Sequence, residues 1–324
     1  MRRPWFAVST VIVLASCRDN PVQPALRPLA QATAFASATL VVDDDGMASA
    51  GNCGSAAPAY TSIQAAVNAA AAGDLVLVCP GSYDELVSVT TDQLTIRAAG
   101  AGAVLRPSAV PINTTLLSGA NARAILLIDG ANGVAVEGLT IDGGVADAGR
   151  SLEVCGGGRP FYLGLFLRGG SGQVESMHVT NMQSASGCSF GVFAQSILGV
   201  PADLAVTGSA FDHYGSGAVV CTGPDASCTI TGNTVRGLGP VDDQLQSGIA
   251  IRFGAVAQIA GNVITDHWFN PHRLPGPEGG IAARSIGIFM FAPDPATNPH
   301  LMERNSFDRN EMNVQRLLTE EVVF

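Results

Sequence analysis

The segment YTSIQAAVNAAAAGDLVLVCPGSYDELVSV, from Tyr60 to Val89, changes its hydrophobic period halfway along. Ile63, Ala66, Val67 and Ala70 recur at helical spacing, which predicts one short amphipathic helix. Gly73-Asp74 stops it. The following run, Leu75-Val76-Leu77-Val78, is apolar throughout and of strand length, which predicts a buried strand.

Downstream, two units alternate. The first returns as VEGLTID (136–142), VESMHVT (174–180), VTGSAFD (206–212), ITGNTVR (230–236), IAGNVIT (259–265) and MERNSFD (302–308), each reading as a strand, a one-residue corner and a second strand. The second is a Gly followed by alternating residues: GLFLR from Gly164, GVFAQ from Gly191, GAVVC from Gly217, GIAIR from Gly248 and GIFMF from Gly287. These glycines advance by 27, 26, 31 and 39 residues. A fixed order of units with unequal insertions is what stacked coils with extruded loops require, because neither unit can bury its apolar residues alone. Asn233, Asn262 and Asn305 fall at one corner of successive units, where a short polar side chain can bond its neighbour in the stack. The last segment, NVQRLLTEEVVF, is expected to cap the open end.

The pattern Y-x-[ST]-I-Q-A-A-V-x-A-A, then G-D-x-V-x-V, then P-G-x-Y-x-E, as it stands in Tyr60–Val89, resembles the N-terminal cap and first coil of the pectate-lyase-like β-helix superfamily. The likeness extends over nearly all of residues 39–316. It implies an all-β fold, a single-stranded right-handed parallel β-helix with a short N-terminal capping helix. Members include pectin- and alginate-modifying enzymes. The N-T-D, G-H-G and R-I-K motifs of the β-helical polygalacturonases are absent, as are the Q-D-T and D-F-I-F-G motifs of the pectin methylesterases, so no member's mechanism is carried over.

Composition agrees with many short strands joined by turns: 324 residues, 47% hydrophobic, 14% charged, with 38 Gly. The formal charge is -10, and all 17 basic residues are Arg. Nucleic acid is thereby excluded as an expected partner, and so is any mechanism needing a Lys base or Schiff base. The same acidity disfavours simple electrostatic capture of a polyanion unless Ca²⁺ bridges.

Arg2 and Arg3 precede an apolar stretch from Trp5 to Ala15, too short to span a bilayer. It ends in Leu14-Ala15-Ser16-Cys17, which resembles the bacterial lipobox. That likeness implies a signal peptide over 1–17, lipidation of Cys17, and a membrane anchor at the outer membrane or cell surface, since Arg18 rather than Asp follows. Residues 18–38, with Pro21, Pro24 and Pro28, read as a tether, leaving 39–324 as the folded domain. A monomer is the expected state. The remaining six cysteines suggest disulfides in an exported chain, and order and local pattern favour Cys53 with Cys79, Cys155 with Cys188, and Cys221 with Cys228. A zinc site is the rival, without a Cys-x-x-Cys pair to support it.

In the Gly-led strands, alternation turns Leu165, Leu167, Val192, Ala194, Ala218, Val220, Ile249, Ile251, Ile288 and Met290 inward. The outward columns are then Phe166, Phe193, Val219, Ala250 and Phe289 beside Arg168, Gln195, Cys221, Arg252 and Phe291. Two readings stay open: a polysaccharide-binding strip, or a secondary core covered by inserted loops. The long insertions all leave after the first unit and should crowd one rim. They carry Asp212, His213 and Tyr214, then Asp242 and Asp243, then Asp266, His267, Trp268, His272 and Arg273. Asp242, Asp243, Arg252 and His267 are the candidate catalytic set, with Phe166, Arg168, Phe193, Gln195, Asp212, His213, Tyr214, Trp268 and Phe289 as candidate substrate contacts. Arg252 near Asp242 and Asp243 would imitate an Arg-base, Ca²⁺-dependent lyase. Against a glycan-binding or glycan-cleaving surface lipoprotein stands a non-catalytic envelope rod that serves as spacer, adhesin or partner surface.

Overall fold

The computed structural model describes residues 37–45, 53, 60–144, 159–185, 188–274, 281–298 and 300–318. Cys17, the tether up to residue 36, and Cys155 lie outside them.

The chain winds through three sheets in turn. The first runs from Thr39–Val42 to Val256–Ala260, the second from Gly81–Tyr83 to Ser306–Asp308, and the third from Val87–Val89 to Met312–Leu317. Each strand pairs in parallel with its equivalent one coil on. Thus Val134–Glu137 pairs with Gly170–Glu175, Thr140–Asp142 with His178–Thr180, and Phe161–Arg168 with Ser189–Gln195. This is the right-handed parallel β-helix that the repeats predict. The expected helix forms over Ile63–Ala69, with Ser62 Oγ accepting from Ala65 N and the Glu85 carboxylate accepting from the Ile63 and Gln64 amides at 2.6 and 2.8 Å. Its buried residues, Ile63, Ala66 and Val67, join the inner core.

Between the first and second sheets the corner is two residues wide, and in the later coils asparagine takes its second position. Asn262 Oδ1 accepts from Asn233 N and Nδ2, both at 2.9 Å, while Asn262 Nδ2 donates to Ile230 O and to Asn305 Oδ1. Ser209 N donates to Asn233 Oδ1, so the ladder begins one coil earlier than the asparagines do. The insertions expected at one rim all lie between the second and third sheets.

The third sheet has a kink of its own. Gly164, Gly191, Gly248 and Gly287 stack in one column, and a Cβ on Gly164 would meet Gly191 O at 2.5 Å. Alternation resets across this column: Tyr162 belongs to the inner core, Leu163 to an outer one, and Leu165 to the inner again. In the fifth coil the slot holds Ala218, not Gly217, because Gly217 pairs with Phe190 and Ser247. The inward set there is therefore Val219 and Cys221, aligned with Val192 and Ala194, while Val220 faces outward. The column needs a small residue rather than glycine as such, so the glycine is a misleading register mark.

Two expected disulfides are present, Cys53–Cys79 and Cys221–Cys228. The second lies inside the cylinder and ties the third sheet to the first. Cys188 is also disulfide-bonded, and its expected partner Cys155 falls outside the described residues. Disulfides of this kind belong to an oxidising compartment. No helix among the described residues is long and apolar enough to cross a membrane.

At the far end, Met312–Leu317 forms the last strand of the third sheet, so that part of the terminal segment extends the cylinder rather than closing it. Side chains cover the free edge of the first sheet, with Thr297 Oγ1 accepting from Ala257 N at 3.2 Å and Asn298 Oδ1 from Ile259 N at 3.0 Å.

Asn262→Ala strips the ladder of five side-chain bonds at a buried corner and leaves amides and carbonyls without partners. The expected loss is about 3 kcal/mol, read as a lower denaturant midpoint, with Asn262→Asp milder than Asn262→Leu.

Candidate functional site

The outward face of the third sheet is the strip on which a binding reading rests, and the structure divides it. Over the early coils it is covered. The segment between Leu105 and Asn121 folds back, pairing Thr114–Thr115 with the start of Asn121–Asp129, and Leu116 packs with Leu127, Phe166, Phe190, Phe193 and Val220 in the outer core. Phe166 and Phe193 are buried and meet edge to face at 5.6 Å. Gln195 accepts from Leu117 N at 2.8 Å, and Arg168 donates to Thr115 O at 3.0 Å and to Asp129 at 2.9 Å. These four residues, expected as ligand contacts, hold the cover in place instead.

Past the cover the face opens. Phe253 is 58% exposed, and Phe289 and Phe291 are half-buried. Phe253 and Phe291 meet edge to face at 5.3 Å, and the Arg252 guanidinium lies over the Phe289 ring at 5.7 Å from its centre. Arg252 Nε is buried without a hydrogen-bond partner. Desolvation pulls the guanidinium down to about 10, although the residue as a whole is only partly buried.

Asp242 and Asp243 lie on the loop that precedes the strand Ser247–Arg252, and Arg252 ends that strand. Asp242 accepts from Asn270 Nδ2 at 2.8 Å. Among the described residues no group of three His, Cys, Asp or Glu converges as a metal site.

His267 is fully buried. Its Nδ1 donates to Asn310 Oδ1 at 2.8 Å and its Nε2 accepts from the Tyr214 hydroxyl, so both ring nitrogens are used and the ring is neutral. Burial pushes the Tyr214 phenol well up and pulls His267 down to about 4. Both residues are wall rather than groove. Their neighbour Asp266 is held below the usual carboxylate range by hydrogen bonds from Arg309, aided by Thr265 and Arg236. Trp268 is half-buried on the rim and meets the His272 ring at 6.1 Å.

Asp212 and His213 do meet, together with a residue that sequence reasoning missed. Asp212 Oδ2 bonds His178 Nε2 at 3.0 Å, Oδ1 bonds His213 Nδ1 at 2.9 Å, and Thr180 Oγ1 donates to Oδ1 as well. Burial pushes Asp212 up, but these hydrogen bonds outweigh it and hold the carboxyl below its ordinary value. Asp142 and Asp266 on the same face are paired with Arg106, and with Arg236 and Arg309, so Asp212 alone there is shared by two imidazoles. His178 sits in the VESMHVT unit one coil earlier, opposite Ala210 and two residues before the position opposite Asp212, and that proximity was the available signal.

No family model matches the sequence, and no curated protein matches it. Among solved structures, the selenomethionine crystal form of a GH136 lacto-N-biosidase from Eubacterium ramulus aligns with a TM-score of 0.55 at 13% identity, covering 86% of this chain and 57% of that one. The native form of that enzyme aligns at a TM-score of 0.40 and 12% identity, covering 86% and 68%. A pectin methylesterase from Yersinia enterocolitica aligns at 0.40 and 11%, covering 81% and 95%. At such identities the likeness is one of fold. The chain spans just over half the length of the first of these.

His267 makes stability depend on pH. The unfolded chain takes up a proton near 6.5 and the folded one only near 4, so stability is full above about 6.5 and falls as pH drops toward 4, by about 3 kcal/mol in all. Thermal midpoints between pH 7.5 and 4 should fall steeply for the wild type and less so for His267→Gln.

Proposed function

We propose that this chain is a polysaccharide-binding protein of the cell envelope, anchored through Cys17, and that it holds its ligand on the open C-terminal half of the third sheet without cleaving it there. One observation carries this reading: the outward face is covered by protein over the early coils, where Phe166 and Phe193 are buried, whereas farther along Phe289 and Phe291 are partly and Phe253 largely exposed. Aromatic rings presented side by side on a rigid sheet suit the apolar faces of sugar rings. The stack fixes their spacing before any ligand arrives, so little ordering cost is left to binding. The carbohydrate-active enzymes that share the fold supply analogy and no more. The burial of His267 favours binding over turnover at this face.

Purified protein should be retarded in gels cast with at least one of a panel of pectins, alginates, xylans and bacterial exopolysaccharides, tested with and without Ca²⁺. Phe253→Ala and Phe291→Ala should each weaken that retention about tenfold, at unchanged circular dichroism. Retention by no member of the panel overturns the reading.

A second reading is favoured by the exposed Asp212–His213 pair, in which the carboxylate fixes one ring nitrogen of an imidazole as in general-base dyads. Any glycan turnover by the protein should then fall at least 100-fold in His213→Ala and Asp212→Asn, and should be untouched by Phe253→Ala.

A further inference from the structure

Two arginines occupy one outward column of the third sheet, three coils apart, and the structure treats them differently. The column runs Asp129, Arg168, Gln195, Thr222, Arg252, Phe291, Leu317. Arg168 is neutralised by Asp129 and tied to the cover at Thr115. Arg252 has neither. No carboxylate among the described residues pairs with it, its Nε is buried and unbonded, and its guanidinium lies over the ring of Phe289.

A desolvated cation without a counter-charge is a cost to the fold, and an apolar side chain of similar length would pack in its place at no such cost. The depressed basicity of Arg252 is the same cost seen as a proton equilibrium. Its partner is most simply a group that arrives from outside. That group must be an anion able to accept from a guanidinium edge, and its carrier must pack against the exposed surfaces of Phe253 and Phe291 beside it.

The overall charge narrows the choice further. At -10 the protein repels a densely charged polymer, so one basic residue framed by aromatics suits an isolated carboxylate within a neutral run of sugars better than a continuous polyuronate. We propose that Arg252 is the anchor for a single carboxylate carried by an otherwise neutral saccharide. This rests on the glycan-binding reading of the open face and specifies the ligand class for it.

The test compares three probes on the full-length chain: a neutral xylan oligosaccharide bearing one glucuronic acid, its carboxyl-reduced twin, and polygalacturonate. The single-carboxylate probe should bind tightest, and carboxyl reduction should weaken it by about 30-fold or more. Arg252→Met should lose the same factor while unfolding at a temperature no lower than the wild type, and Arg97→Met, which removes equal charge from the first sheet, should bind normally. Equal binding of the oligosaccharide and its reduced twin, with Phe253→Ala still weakening both, overturns the carboxylate anchor and leaves the glycan-binding face standing. Tighter binding of polygalacturonate overturns the preference for an isolated charge. A clearly lower unfolding temperature for Arg252→Met overturns the claim that the cation is uncompensated. Binding of none of the three, together with a silent glycan panel, removes the face and the anchor alike.

Discussion

Coil-to-coil hydrogen bonding along the axis is the constraint under which everything else in this protein operates. Each strand finds its partners in the coils before and after it, so each must start at the same height and corner as its neighbours. The corner between the first and second sheets is where that alignment is most tightly set. Asn233, Asn262 and Asn305 pass hydrogen bonds from coil to coil there, and they occupy both the amides and the carbonyls that a turn would otherwise leave bare inside the wall. With that corner held constant, length variation is pushed to the opposite rim, between the second and third sheets.

That division of labour shapes the surface. Insertions at the rim either fold over the third sheet or stand beside it. The segment before Asn121 folds over, converting the Phe166 and Phe193 column into a second core with Leu116 as its lid. Further along, no comparable segment among the described residues lies over Phe289 and Phe291, and the column emerges to solvent beside Phe253. The outward face is thus structural at one end and partly open at the other. Arg168 and Arg252 differ for the same reason: the cover and Asp129 complete the first, and no carboxylate among the described residues completes the second.

Several residues that look reactive in the chain are spent on the wall. His267 and Tyr214 satisfy one another across the stack, and Asn310 fixes the tautomer. Asp266 serves three partners at once. Their polarity is the price of placing hydrogen-bonding groups where insertions leave and rejoin the cylinder, at corners that cannot follow the asparagine pattern. Asp212 stands apart because its partners, His178 and His213, keep a second ring nitrogen each and remain partly exposed.

The sequence by itself determined the winding: the helix-to-strand change at Gly73-Asp74, the two alternating units, the asparagine corner, and the cysteine pairs Cys53–Cys79 and Cys221–Cys228. These are readable because each is a local pattern repeated at coil spacing, and stacking only amplifies it. Register within one strand was less secure. Gly217 looked like its neighbours' glycine, yet Ala218 takes the slot, since what the column excludes is bulk. Only the tertiary structure decided which outward residues meet solvent. Whether Phe166 or Phe253 is exposed depends on where a loop lands, and whether Arg252 is paired depends on which carboxylates the winding brings within reach. Both are set by distances between segments far apart in the chain, for which no spacing along the sequence is a guide.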